Sequence, residues 1–257
     1  MTDLDLLLTP LAAGALALLT HVPLGEQVLR RRIVFIDLAI AQWAALGALL
    51  AASLAVDTAI PLWLSGGVMA LCGAVLVAWL ARAWPSRREA LIGLVYIGAA
   101  VLALLATRAD PRGAQRVAAM LSGDVLWVGA VDLVPLAAAT TGFVALHVAR
   151  PQLWLRDAVF YAAFAILVSL SVPLLGVYLV FATLIAPALA LADGRHGGWT
   201  RAVGWGLAGY AAGLLASLRW DLPSGPCIVL ALMAACACGA AIDRAARRPA
   251  RQRVGRR

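Results

Sequence analysis

Long apolar runs, separated by short polar clusters, follow one another from Leu6 to Ile242. A helix that crosses a bilayer needs about 20 predominantly apolar residues, and most of these runs come near that length. We therefore predict an all-α, polytopic membrane protein with nine membrane-crossing helices. The predicted helices cover residues 6–29, 33–56, 60–80, 86–107, 132–148, 158–172, 174–191, 202–218 and 226–242.

The longest apolar run follows Asp157 and contains no charged residue over 35 positions. It is too long for one membrane crossing and about right for two short ones. Pro173 and Gly176 mark the join, because proline removes a backbone donor and glycine permits a turn. We expect an up-down helical hairpin inside a bundle, since the return helix contains Pro187 and the backbone groups that it frees need partners in lipid.

The charge pattern agrees with a membrane protein. Charged residues make up 13% of the chain, about half the share typical of soluble domains. All 21 basic residues are arginines, and they lie in clusters between apolar runs, not on the soluble face that a nucleic-acid-binding protein would present. Nine crossings place 17 of them on one side, which arginine excess marks as the cytoplasm. The N-terminus is therefore expected outside and the C-terminus inside.

Two regions are expected to lie outside the bilayer. Residues 108–131 mix charged and weakly apolar positions, and we predict a loop there with a short interfacial helix anchored by Trp127. Residues 1–243 form the single transmembrane domain. The arginine-rich residues 244–257 are expected to be a disordered cytoplasmic tail on the membrane surface.

Polar side chains inside apolar segments are the candidates for function. Asp37 lies near the start of the second predicted helix, where an intramembrane acid either has a function or pairs with the cluster Arg30–Arg32. Gln42 either lines a substrate path or bonds a neighbouring helix. His21 and Glu26 are five positions apart and so miss the same helix face, and we expect structural roles for them.

Enzymatic motifs are missing from the sequence. It contains no P-loop, no Ser/His/Asp set and no HExxH motif, so we expect no catalytic residue, no cofactor and no ATP hydrolysis by this chain. The four cysteines form no Cys-x-x-Cys pair, which argues against a disulfide framework or a thiolate metal site.

Three stretches carry a family resemblance: Leu29–Gln42, Gly176–Ala188 and Asp221–Pro226. They resemble segments of the integral-membrane subunits of the metal-transporting ABC family, the permeases for zinc, manganese and iron. The similarity runs along most of residues 10–242. It implies a homodimeric permease of the bacterial inner membrane, driven by a separate ATP-binding subunit and often supplied by a periplasmic solute-binding protein.

The residues that would bind a metal differ from the family pattern. Many members have Asp-x-x-x-His in the second helix, whereas here Ala41 follows Asp37 at that spacing and the polar residue is Gln42. One branch has a His-Gly-x-Glu-His-like run after the fourth helix, and arginines replace both histidines here. Arginine cannot bind a metal at physiological pH. The outer-loop set comprises Asp110, Arg112, Gln115 and Arg116. It is either an entrance that favours an anionic solute or a partner protein, or it is an ordinary solvated loop.

The segment between the fifth and sixth predicted helices, Ala149–Asp157, is short. Family members have a longer acidic helix there that docks on the ATPase. Trp154 is a candidate anchor in an ATPase groove, with Arg156 or Asp157 making charge contacts at its rim. Alternatively, Trp154 is an aromatic residue of the membrane interface.

The resemblance favours a permease subunit that moves a divalent metal ion by alternating access. The rival interpretations are a permease for a non-metal solute and a non-transporting scaffold or assembly protein on the same fold. The second and third motifs favour transport, whereas the short segment and the missing histidines favour the scaffold. Neither the ion nor the direction of transport follows from the sequence.

The orientation can be tested by cysteine labelling in a variant that lacks the four native cysteines. Thr58→Cys and Pro111→Cys should react with a membrane-impermeant reagent in intact cells, because both positions are predicted outside. Ser86→Cys and Ala250→Cys should react only after the membrane is opened. Labelling at position 250 in intact cells would contradict the predicted orientation.

Overall fold

The computed structural model describes residues 3–53, 62–108, 113–123, 125–191 and 198–254, and within these ranges the regular elements are helices. Short 3-10 turns precede α4, follow α5 and precede α7, at Pro85–Arg87, Val125–Trp127 and Pro151–Leu155. The helices are α1 (Asp3–Arg31), α2 (Ile36–Ser53), α3 (Leu62–Ala83), α4 (Arg88–Ala106), α5 (Gly113–Ser122), α6 (Leu133–Ala149), α7 (Asp157–Leu175), α8 (Val177–Leu191), α9 (Gly198–Trp220) and α10 (Ser224–Val254).

The predicted all-α membrane fold is confirmed. Each predicted crossing corresponds to one helix, and α5 is the short helix expected within residues 108–131. Among the described residues, five helices are long and apolar enough to span a bilayer, namely Leu7–Arg31, Leu64–Ala83, Pro85–Ala106, Asp157–Leu175 and Ser224–Asp243. Three further apolar helices are shorter, namely Ile36–Ala51, Leu133–Ala149 and Val177–Ala190.

Two helix ends differ from the prediction, and α1 contains an internal proline. α1 continues through Pro23 without a break, where burial of the flanking Val22 and Leu24 holds the helix against the missing backbone bond. α7 runs past Pro173 to Leu175. α10 is helical as far as Val254, beyond residue 242, where the predicted crossing ends.

α7 and α8 lie at the centre of the bundle, as predicted for the uncharged run, and both are largely buried. They do not pack side by side as the expected hairpin. α7 packs mainly against α2 and α3, whereas α8 packs mainly against α1 and α10. The two helices therefore separate after Gly176, and each fills a different half of the core.

One end of the bundle is held together by backbone contacts at three glycines, which we call the glycine junction: Gly123, Gly176 and Gly225. Gly123 follows α5, Gly176 separates α7 from α8, and Gly225 lies in the first turn of α10. A Cβ atom at any of the three would come closer than 3.0 Å to a backbone atom of another segment. Gly123 and Gly176 also have φ of 68° and 79°, in the left-handed region that favours glycine.

A methyl group at the junction should therefore destabilise the fold. We expect Gly176→Ala to lower the free energy of unfolding by roughly 2–4 kcal/mol, from left-handed backbone strain and from overpacking. Gly98→Ala is the matched control, because a Cβ at Gly98 on α4 meets no atom within 4 Å. Thermal unfolding of the purified proteins in detergent compares the two, and equal stability would contradict the role of the junction.

Candidate substrate path and coupling segment

The turn between α1 and α2 is held by backbone hydrogen bonds and by two buried side chains. Arg32 has a left-handed φ of 55°, the Ile33 N–H donates to the Val28 carbonyl at 3.2 Å, and the Ile36 N–H donates to the Ile33 carbonyl at 3.0 Å. The Ile33 and Ile36 side chains are buried. The turn thus fixes where α2 begins and places Asp37 in its first turn.

Asp37 is completely buried, and neither of its carboxylate oxygens has a hydrogen-bond partner among the described residues. The structure does not show the alternative role of Asp37, a bond to the neighbouring arginines. Arg30 bonds Glu26 at 2.6 Å, and Arg31 bonds Asp157. A carboxyl group buried in this way is costly unless a proton or a cation accompanies it, which keeps Asp37 as the candidate for a substrate contact.

Gln42 is also buried, and its Oε1 atom has no hydrogen-bond partner in the described part of the chain. It lies five residues after Asp37, which on an α-helix is about 7.5 Å along the axis and about 140° around it. The two polar side chains therefore leave α2 in different directions. Ala41, four residues after Asp37, is the position that shares its face, and it is buried.

His21 and Glu26 have separate partners, in line with the structural roles expected for them. His21 is buried, with Nδ1 3.0 Å from the Ala17 carbonyl and 3.0 Å from the Thr20 hydroxyl. Glu26 bonds Arg30 on its own helix.

The outer-loop set is only partly within the described residues. Gln115 and Arg116 lie on α5 and are exposed, whereas Asp110 and Arg112 fall outside the described ranges. Among the described residues, no group of three or more histidine, cysteine or acidic side chains is arranged to hold a metal ion.

Trp154 lies inside the protein, and this corrects the expectation that it is a surface anchor for a partner. Its side chain is 3% exposed, with its ring centroid 4.5 Å from that of Phe143 and 5.8 Å from that of His147. His147 in turn lies 6.3 Å from the ring of Trp199 on α9. Trp154 therefore attaches the segment to α6, and the exposed residues of the segment include Arg156 and Asp157.

Arg31 is the residue of this region that the sequence did not single out. Its guanidinium bonds the Asp157 carboxylate, donates to the Trp154 carbonyl at 3.1 Å and lies 4.5 Å from the Phe160 ring centroid. It connects the end of α1 with the segment before α7. Three consecutive arginines look alike in a sequence, and only the packing distinguishes the middle one.

A cavity of about 900 Å³ lies between α2, α5, α6 and α7, near the glycine junction. Its lining is mostly apolar and includes Met120, Trp127 and Leu136. Asp132 is the charged residue of the lining, and its Oδ2 accepts a hydrogen bond from the Gly129 N–H at 3.0 Å.

Comparison with known proteins now decides the class. A family model described as "ABC 3 transport family" matches residues 3–155 and 152–242. The chain belongs to the ABC 3 transport family. It is thus a multi-pass membrane permease of an ABC transporter, as the sequence resemblance implied.

A similar fold is seen in a solved structure, "PsaBC from Streptococcus pneumoniae in complex with Fab". The match has a TM-score of 0.72 and covers 92% of this chain and 91% of that one. The sequences are 15% identical, so the comparison concerns the fold alone. No curated protein matches the sequence.

The burial of Trp154 leads to a stability prediction. Trp154→Ala should lower the free energy of unfolding by about 3–5 kcal/mol, because it leaves a cavity among Phe143, His147 and α7. Trp127→Ala is the matched control, since Trp127 is 82% exposed and its loss should cost less than about 0.5 kcal/mol. Thermal unfolding in detergent compares the two variants. Equal losses of stability in both would contradict the burial of Trp154.

Proposed function

We propose that the chain is the permease subunit of a transporter for a divalent metal ion in the bacterial inner membrane. It works as a homodimer by alternating access, with a separate ATP-binding subunit and a periplasmic solute-binding protein. The N-terminus faces the periplasm and the C-terminus the cytoplasm. Membership of the ABC 3 family supports the role of transporter permease. The buried carboxylate of Asp37 supports a metal cation as the substrate.

The buried, unpartnered carboxylate of Asp37 is the observation that carries this proposal. An acidic side chain inside a membrane bundle is by default a candidate for a substrate or ion pathway. The position four residues after Asp37 is Ala41, where many members of the resembled family have a histidine. Carboxylate and carbonyl oxygens suit manganese and magnesium better than zinc. We therefore propose an ion that prefers oxygen ligands, with Mn²⁺ as the first to test.

The arginine-rich end of the bundle is the proposed docking side for the ATP-binding subunit. The exposed residues of the 150–157 segment, including Arg156, are the proposed contacts. Charged groups at the rim of such an interface affect the rate and specificity of docking more than its strength. Trp154 supports these contacts from beneath by holding the segment against α6.

The test is uptake of radioactive manganese into cells or vesicles that contain the chain and its ATP-binding subunit. Asp37→Asn should reduce uptake roughly tenfold or more, since it removes the charge that binds the ion. Asp132→Asn is the matched control, because its side-chain oxygen can still accept the Gly129 hydrogen bond. Uptake by the Asp132 variant should remain near that of the unmodified protein.

Two outcomes would contradict the proposal in different ways. Normal uptake by Asp37→Asn would remove Asp37 from the substrate path. Failure of the unmodified chain both to copurify with an ATP-binding subunit and to take up any metal would favour the scaffold or assembly protein instead.

A further inference from the structure

Arg30, Arg31 and Arg32 are consecutive but have different environments. Arg30 bonds Glu26 on its own helix, and its side chain is 69% exposed. The Arg31 side chain is 19% exposed, and it reaches across to another part of the chain. Arg32 has the left-handed φ that ends α1. Arg30 thus bonds within its own helix, whereas Arg31 bonds Asp157 at the start of α7.

The Arg31 guanidinium contacts three groups of the 150–157 segment and of α7. It forms an ion pair with Asp157 at the start of α7, donates to the Trp154 carbonyl at 3.1 Å, and lies over the Phe160 ring. A planar guanidinium can do all three at once, whereas an ammonium group acts as a point charge. Arg31 therefore holds the backbone of the segment as well as its side chains.

The other attachment of the segment is apolar. Trp154 packs on Phe143 and His147 through ring faces and edges. Its indole Nε1 makes no hydrogen bond to the described residues, and neither does His147 Nδ1. Ring contacts of this kind resist separation but do not fix direction as hydrogen bonds do. Backbone hydrogen bonds from Arg150 to Leu146 and from Phe160 to Arg156 join the segment to α6 and α7. Arg31 supplies a directional link between the segment and α1.

From Arg31 the chain leads directly to the candidate substrate site. Arg32 ends the helix, the buried Ile33 and Ile36 hold the turn, and Asp37 follows at once. Packed, hydrogen-bonded segments move as units and transmit displacement. A shift of the 150–157 segment that pulls Arg31 must therefore move the start of α2.

We propose that Arg31 is the positioning residue that couples the 150–157 segment to Asp37. It touches neither substrate nor nucleotide. It transmits the movement that a bound ATP-binding subunit imposes on the segment to the turn that carries the acid. The inference rests on the proposed function, in which this segment is the docking side.

The first test needs no partner and measures the link itself. Spin labels at Phe35→Cys and Gln152→Cys, both at exposed positions, report the distance between the turn and the segment in a background without native cysteines. The distribution should be narrow in the otherwise unmodified chain and distinctly broader with Arg31→Met. Arg30→Met is the matched control and should leave the distribution narrow. An unchanged distribution with Arg31→Met would overturn the proposal.

The second test measures coupling in the assembled transporter. Arg31→Met should lower manganese uptake per ATP hydrolysed by about fivefold or more, the range typical of coupling between sites, while the ATP-binding subunit still copurifies. Arg31→Lys should recover part of the loss, and Arg30→Met should behave as the unmodified protein. An uptake loss that merely follows lower thermal stability or weaker binding of the ATP-binding subunit would make Arg31 structural and overturn the proposal.

The exchange of charges provides a further control. Arg31→Asp combined with Asp157→Arg restores the ion pair but not the bond to the Trp154 carbonyl, so uptake per ATP should exceed that of Arg31→Asp alone. Absence of any recovery would count against the link. If the unmodified transporter neither hydrolyses ATP nor takes up metal, the proposed function fails, whereas the distance measurement still decides whether Arg31 holds the segment.

Discussion

The fold depends on a close approach of backbones at the glycine junction. Gly123, Gly176 and Gly225 come from three connections that are far apart in the chain, and none leaves room for a Cβ atom. Gly176 and Gly225 belong to two of the stretches that resemble the metal-permease family. Those stretches meet at residues 122 and 123. This contact is a physical reason for the glycine in each stretch. Because the junction fixes where α7 ends and α8 begins, it decides that the two central helices separate and pack against different neighbours.

The opposite end of the bundle is held together by a different kind of interaction. There, charged and aromatic side chains link the helix ends, with Arg31 bonded to Asp157, Arg201 bonded to Asp243 and Trp154 buried against Phe143. Ion pairs that are partly exposed contribute little to stability. One end of the bundle is thus fixed by close backbone packing, and the other by contacts between side chains.

The helices could be predicted from the sequence because a membrane segment must satisfy its own backbone hydrogen bonds, so apolar length alone indicates a helix. Helix packing could not, since the partners of α7 and α8 depend on contacts between distant residues. The same limit explains Trp154: a tryptophan beside an arginine fits a membrane interface, a docking surface or a buried cluster equally well. Asp37 could be singled out from its charge within an apolar helix, but its lack of a hydrogen-bond partner among the described residues could be seen only in the structure.

Access to Asp37 requires a movement of α2 or of the helices packed on it, because Asp37 and Ala41, which share a face, are both buried. The contact of α2 with α3 is close. A Cβ at Gly47 would lie 2.6 Å from the Ser65 carbonyl, and one at Gly73 would lie 2.8 Å from the Trp43 ring. Small residues allow this close approach of the two helices, so we expect α2 and α3 to shift together. α2 begins at the turn next to Arg31, and displacement at that turn therefore acts on the helix that carries the acid.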